Sequence, residues 1–267
     1  MARPDARRPA ARMGIHRLCQ GAAGRVFEVF RITYLDFAGG RLRPALGGNA
    51  ETGRRFRQKI VSAHALLGVL DGLAVRYLLD HDPRGDLASL GLKTTFRIIR
   101  AHADGRPIHF IVSKWDLLAG AYDLREIRAK LMEFGDFAAL IRSARGGRPD
   151  RRAPLVRLIP VSAVGLGFAH LDAEGRVGKT RAGLLRPISV EIPLAALPID
   201  VLHAARPAAF DGAAGVVDQR SALRETVAGF RHQLDRFEQR YPAALAGRQA
   251  AGELVRPSSP SPRVRRG

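Results

Sequence analysis

Three short polar clusters, each following an apolar run, carry residue types suited to holding a small ligand: Leu35-Asp36-Phe37-Ala38-Gly39, Val112-Ser113-Lys114-Trp115-Asp116 and Val161-Ser162-Ala163-Val164-Gly165. A carboxylate such as Asp36 suits a hard cation. Gly39, without a Cβ, lets the backbone come close to a ligand. Asp116 can accept two hydrogen bonds side by side, which favours a ligand edge with paired donors. The stem of Lys114 can cover an apolar face while its ammonium stays wet. Ser113 and Ser162 add short polar side chains, Ala163 offers a backbone N–H, and Trp115 reads as packing rather than recognition.

These clusters need strand ends to hold them. Val26–Leu35 is rich in β-branched and aromatic residues, as a buried strand should be, and Asp36 ends it. A basic helix is expected over roughly 51–62, a short strand over 65–70 stopped by Asp71-Gly72, and mainly helix over 74–105, interrupted by Asp82-Pro83-Arg84-Gly85. Ile108–Val112 is nearly all apolar, as in a central parallel strand. Leu124, Ile127, Leu131 and Phe134 make one helical stripe, and Leu155–Val161 is the next strand. Strands alternating with helices predict an α/β fold, a doubly wound and mostly parallel sheet with flanking helices. Ligands of such sheets bind at the carboxyl ends of the strands.

In order and strand context the clusters resemble the DxxG, [NTS]KxD and SAxG motifs of the P-loop GTPase family. That resemblance implies guanine-nucleotide binding, GTP or GDP with Mg²⁺, over about 26–170. Asp36 would support Mg²⁺ through water and the Gly39 amide would meet the terminal phosphate. Asp116 would accept from N1–H and the exocyclic amine of guanine, an edge that adenine lacks. Lys114 would lie along the base, Ser113 stands where Asn or Thr is commoner, which weakens loop bracing, and the amide near Ala163, beside Ser162, would meet guanine O6. The phosphate loop GxxxxGK[ST] is missing before Asp36, so the domain reads as truncated at its N-terminus, with hydrolysis weak or absent and catalytic residues unassigned. Ala173-Glu174-Gly175-Arg176-Val177-Gly178-Lys179-Thr180 fits a relaxed form of that loop, but its setting favours a hairpin with an exposed Gly-Lys turn.

The formal charge is +19, of which residues 1–18 and 248–267 carry +4 each, leaving +11 for the middle. Charge concentrated in the ends reads as solvated tails and argues against nucleic acid as the main partner. The expected organisation is a disordered basic N-terminus over 1–23, a GTPase-like α/β domain over 24–205, a C-terminal helical segment over 206–247 and a disordered basic tail over 248–267. After Gly165 the prolines 187, 193 and 198 suggest hairpins or extended segments. Leu223, Val227, Phe230, Leu234, Phe237 and Tyr241 form a heptad-like seam over 216–241, which suits a docked closing helix or, less well, a protein partner. The eight His residues lack metal-ligand spacing, and the single Cys19 excludes an internal disulfide. No apolar run reaches the roughly 18 residues of a membrane span, and the lone Cys19 with an N-terminus that lacks the apolar core of a secretion signal leads to the expectation of a reducing, cytoplasmic location. The competing readings are a pseudo-GTPase scaffold without nucleotide and a basic nucleic-acid-binding protein.

Overall fold

A computed structural model describes residues 12–20, 26–35, 51–145, 155–172, 174–181, 183–204 and 216–246. Asp36, Gly39, the outer termini and residues 146–154 lie outside the described residues. The chain divides into two compact units, residues 1–66 with 189–240 and residues 67–188 with 241–267.

In the first unit, β1 (Arg12–Gln20) pairs antiparallel with β2 (Val26–Leu35), from Arg12 opposite Leu35 to Gln20 opposite Val26. This corrects two expectations. Residues 12–20 are a strand rather than part of a structureless terminus. The strand over 26–35 belongs to a two-stranded sheet of its own and not to the parallel sheet. The register shifts by one residue between Arg17, opposite Phe30, and Leu18, opposite Glu28, with Val29 of β2 as the extra residue. No single period of two runs through β1, which hides it in the sequence. Helix α1 (Glu51–Val61) follows where a basic helix is expected.

The second unit contains the strands that carry the polar clusters. β3 (Leu66–Leu70) leads into α2 (Gly72–Leu79) and α3 (Arg84–Ala101), with the break between the helices at the expected Asp82-Pro83 turn. β4 (Ile108–Val112) is followed by a 3-10 turn at Trp115–Leu117, then α4 (Leu124–Met132) and α5 (Gly135–Arg145). β5 (Val156–Pro160) is next, and β6 (Ala169–Leu171) and β7 (Val177–Lys179) form an antiparallel hairpin. The sheet order is β3-β4-β5-β8, where β8 (Leu245–Ala246) adds a short antiparallel edge to β5. The unit is therefore α/β, with three parallel strands and flanking helices, and is compatible with a doubly wound arrangement.

Burial explains the strand positions. Every residue of β5 is buried, as a strand with neighbours on both sides requires, whereas β3 alternates buried and exposed, as an edge does. Phe96 of α3 and Phe137 of α5 converge on Phe110 of β4, with ring centroids 5.0–5.4 Å apart. Each such ring pair contributes about 1 kcal/mol beyond area burial. Leu124, Ile127 and Leu131 are buried along α4, while Phe134 lies past its end. A capping box at Asp123 and Glu126 fixes where that helix starts.

The first unit is completed by α6 (Ile192–Ala204) and α7 (Val216–Arg240), which pack against each other. Extended structure is expected around Pro193 and Pro198, and the helix is the correction. Pro193 sits in the first turn, where its missing N–H costs nothing, and only Pro198 removes an interior bond. Burial of Ile192, Ala195, Ala196 and Ile199 offsets that loss. In α7 the seam residues Leu234 and Phe237 are buried.

Candidate functional site

Parallel strands bring their carboxyl ends to one edge of the sheet, and three turns meet there: Leu70-Asp71-Gly72 after β3, Ser113–Asp116 after β4, and Ser162–Gly165 after β5. The Ser113 N–H and Oγ both donate to the Leu70 carbonyl, at 3.0 and 3.1 Å. Ser113, expected to brace its loop only weakly, thus ties it to the neighbouring strand with two hydrogen bonds. Lys114 then takes a left-handed conformation with φ 51°, which swings the chain into the 3-10 turn. The Trp115 N–H donates to the Val161 carbonyl at 3.1 Å, tying the turns after β4 and β5 together. The Trp115 side chain is buried and meets the Tyr241 ring edge-on at 6.2 Å, a packing role as expected.

Asp116 and Ser162 form the centre of the site. The Ser162 hydroxyl donates to Asp116 Oδ1 at 2.5 Å, a charge-assisted bond. The Ser162 hydroxyl oxygen in turn accepts from the Val164 N–H at 3.3 Å and the Gly165 N–H at 2.8 Å. Ser162 is fully buried, and its main chain exchanges two hydrogen bonds with Ile188. Gly165 has φ +85°, and a Cβ there would stand 1.9 Å from the Arg186 carbonyl oxygen. Only glycine fits. The loop after β5 is therefore held on both sides, and it fixes one oxygen of a carboxylate 46 residues earlier. Asp116 is half-buried, and among the described residues its second oxygen takes no hydrogen bond. Ala163 is exposed, and its N–H donates to no described residue. A half-buried carboxylate fixed at one oxygen and an exposed residue with an open backbone N–H thus stand at adjacent strand ends.

Around this centre stand residues that motif reasoning passed over. The Lys114 ammonium pairs with Asp71 Oδ2 at 2.9 Å, both groups being half-exposed. Arg76 of α2 donates to the Leu117 carbonyl at 3.1 Å and pairs with Asp80 at 2.6 Å. The Tyr122 hydroxyl donates to the other oxygen of Asp80 at 2.5 Å, and this bond raises its pKa above the usual phenol value. Arg76, Asp80 and Tyr122 so clamp the Trp115–Leu117 turn to α2. Two signals for them were present in the sequence: an Asp directly after an apolar strand, and an Arg and Asp four residues apart on one helix.

The segment that fits a relaxed phosphate loop has no strand–loop–helix setting. Gly178 and Lys179 lie inside β7, Thr180 N–H donates to the Phe168 carbonyl, and the turn falls earlier, at Asp172–Arg176. The exposed Gly-Lys turn is thereby corrected to a strand within the expected hairpin. Arg84 holds the hairpin tip: it lies 4.1 Å from the Tyr77 ring centroid, bonds both oxygens of Asp82 and donates to the Glu174 carbonyl at 3.2 Å. The Tyr77 hydroxyl donates to the Gly175 carbonyl at 3.2 Å.

No protein-family model matches this sequence, and no curated protein or solved structure matches it significantly. Among the described residues no group of three or more His, Cys, Asp and Glu is gathered as a metal site, and no helix is long and apolar enough to cross a membrane. Asp36 and Gly39, the residues expected at a metal and a phosphate, lie outside the described residues. The structure brings together Ser113, Lys114, Asp116, Ser162 and Ala163.

Proposed function

We propose that the strand ends after β4 and β5 form the base-reading part of a GTPase-like guanine-nucleotide-binding domain. The observation that carries this is the Ser162–Asp116 clamp, which ties the half-buried Asp116 carboxylate to the residue next to Ala163, itself exposed and with an open N–H. A purine entering edge-on would donate its N1–H and 2-amine to Asp116 and accept at O6 from the Ala163 amide. Guanine satisfies all three contacts. Adenine offers neither the paired donors nor the acceptor, and its unprotonated N1 would face the carboxylate. The Lys114 stem covers one face of the ring. Hydrolysis is weak or absent on this reading, because catalysis of phosphoryl transfer depends on charge stabilisation of the terminal phosphate. Mg²⁺ would enter with the nucleotide's phosphates.

Titration with fluorescently labelled GDP and GTP, with and without Mg²⁺, tests the proposal, with ATP and inosine nucleotides as competitors. Inosine lacks the 2-amine and so loses one bond to a charged acceptor, about 2 kcal/mol or roughly 30-fold in affinity. Guanine nucleotides should bind saturably, inosine nucleotides should compete poorly, adenine nucleotides should not compete, and Asp116→Ala should abolish binding. Equal competition by ATP, or unchanged binding by Asp116→Ala, overturns the proposal, and absence of guanine binding favours a scaffold without nucleotide.

A further inference from the structure

Resting on that base-reading role, we propose that Asp71 is a positioning residue of the same site, holding the Lys114 side chain where it covers the base. Lys114 has four rotatable side-chain bonds and would otherwise sample solvent. Its ammonium is instead held at 2.9 Å by Asp71 Oδ2, while Asp71 Oδ1 accepts the Leu73 N–H at 3.0 Å. One carboxylate thus caps α2 with one oxygen and fixes the lysine with the other.

The turn that carries Asp71 is fitted to this task. Leu70 supplies the carbonyl that takes both hydrogen bonds of Ser113. At Gly72 a Cβ would stand 2.0 Å from the Ser113 carbonyl oxygen and 3.1 Å from that of Lys114. The main chain at Asp71-Gly72 is therefore pressed against that of Ser113-Lys114, leaving room for nothing larger than hydrogen. Such contact keeps the Asp71 carboxylate at one distance from the root of Lys114. The two carboxylates divide the labour: Asp116 selects which base enters, and Asp71 governs how well the lysine covers it.

Asp71→Asn tests the division, because Asn caps a helix as well as Asp while carrying no charge. Lys114→Met keeps the aliphatic stem and removes the ammonium. A half-exposed ion pair is worth up to about 1 kcal/mol, which converts to a few-fold change. Asp71→Asn should weaken GDP binding about three-fold at low salt, keep the preference for guanine over inosine and leave the melting temperature within about 2 °C. In the Lys114→Met background Asp71→Asn should have no further effect. The wild-type advantage over Asp71→Asn should also fade as salt rises, since exposed pairs are screened. Unchanged GDP affinity in Asp71→Asn overturns the inference while leaving the base-reading proposal intact, as does an equal loss in the Lys114→Met background. Failure of the wild-type protein to bind guanine nucleotides overturns both.

Discussion

Replacing Ser162 with Ala removes a single hydroxyl, yet that oxygen makes three hydrogen bonds in a fully buried position. A bond to an ionised carboxylate contributes about 1.5–3 kcal/mol, and a buried N–H left without a partner costs about 1–3 kcal/mol. The Gly165 N–H, at 2.8 Å from the hydroxyl, is the donor left behind. Asp116 is half-buried, so water recovers part of its loss, and the sum falls near 3 kcal/mol. At an m-value of about 2 kcal/mol per molar urea, the midpoint falls by roughly 1.5 M. The chain's one tryptophan is Trp115, the buried neighbour of Asp116, so its emission reports this unit directly. Asp116→Ala should cost less than Ser162→Ala, because the serine hydroxyl that remains still accepts from Gly165. The double variant should fall short of the sum of the singles by more than about 0.5 kcal/mol, the limit expected of independent sites. A midpoint shift under about 0.25 M for Ser162→Ala, or strict additivity with Asp116→Ala, refutes the clamp.

Gly165→Ala forces a Cβ to within 1.9 Å of the Arg186 oxygen at φ +85°, and should cost at least about 3 kcal/mol, read as a melting temperature lower by roughly 10 °C; a drop under 2 °C contradicts the packing. Hydrogen bonds from the Arg84 side chain and backbone hold the Asp82 carboxyl down to about 2 from its ordinary 3.8. Because the folded value is depressed, the stabilisation is complete above pH 4 and is lost as pH falls towards 2. The stability gap between wild type and Asp82→Asn should accordingly close between pH 4 and 2, and parallel curves in urea titrations across that range count against the pairing. Tyr122 has the opposite sign: its pKa is raised by donation to Asp80, so its contribution is present at neutral pH and lost as pH rises beyond about 10. Tyr122→Phe should cost roughly 1 kcal/mol at pH 7, with little difference left in strong alkali; an unchanged midpoint at pH 7 would sink the idea.

How far the fold can be read from the chain depends on whether a local rule suffices. Ile108–Val112 is a run of five residues with four buried, and its bounds follow from composition alone. The stripe at Leu124, Ile127 and Leu131 and the turn at Asp82-Pro83 likewise declare themselves within a few residues. Where the sequence misled, a nonlocal term dominated. β1 is defined by its pairing with β2 rather than by its own pattern, and the helix through Pro198 forms because burial of its neighbours outweighs one missing bond. The site divides the same way. Residue types and order pointed to Ser113, Lys114, Asp116, Ser162 and Ala163, but not to the bond between Ser162 and Asp116, nor to Asp71, Arg76, Asp80 and Tyr122, which reach the site from β3, α2 and the turn before α4. No spacing rule links residues on different strands.

The parallel pairing of β4 with β5 has a constant offset, Ile108 opposite Val156 through Val112 opposite Pro160, so the chain must travel out through two helices and return before β5 can join β4. The Asp116 carboxylate is synthesised 46 residues ahead of the serine that fixes it. On a ribosome, or after a proteolytic cut between α5 and β5, a chain can carry the whole Ser113–Asp116 sequence and still have no site. The Ser162–Asp116 clamp is therefore a mark of completed folding, since it closes only when the last of the three strands has docked.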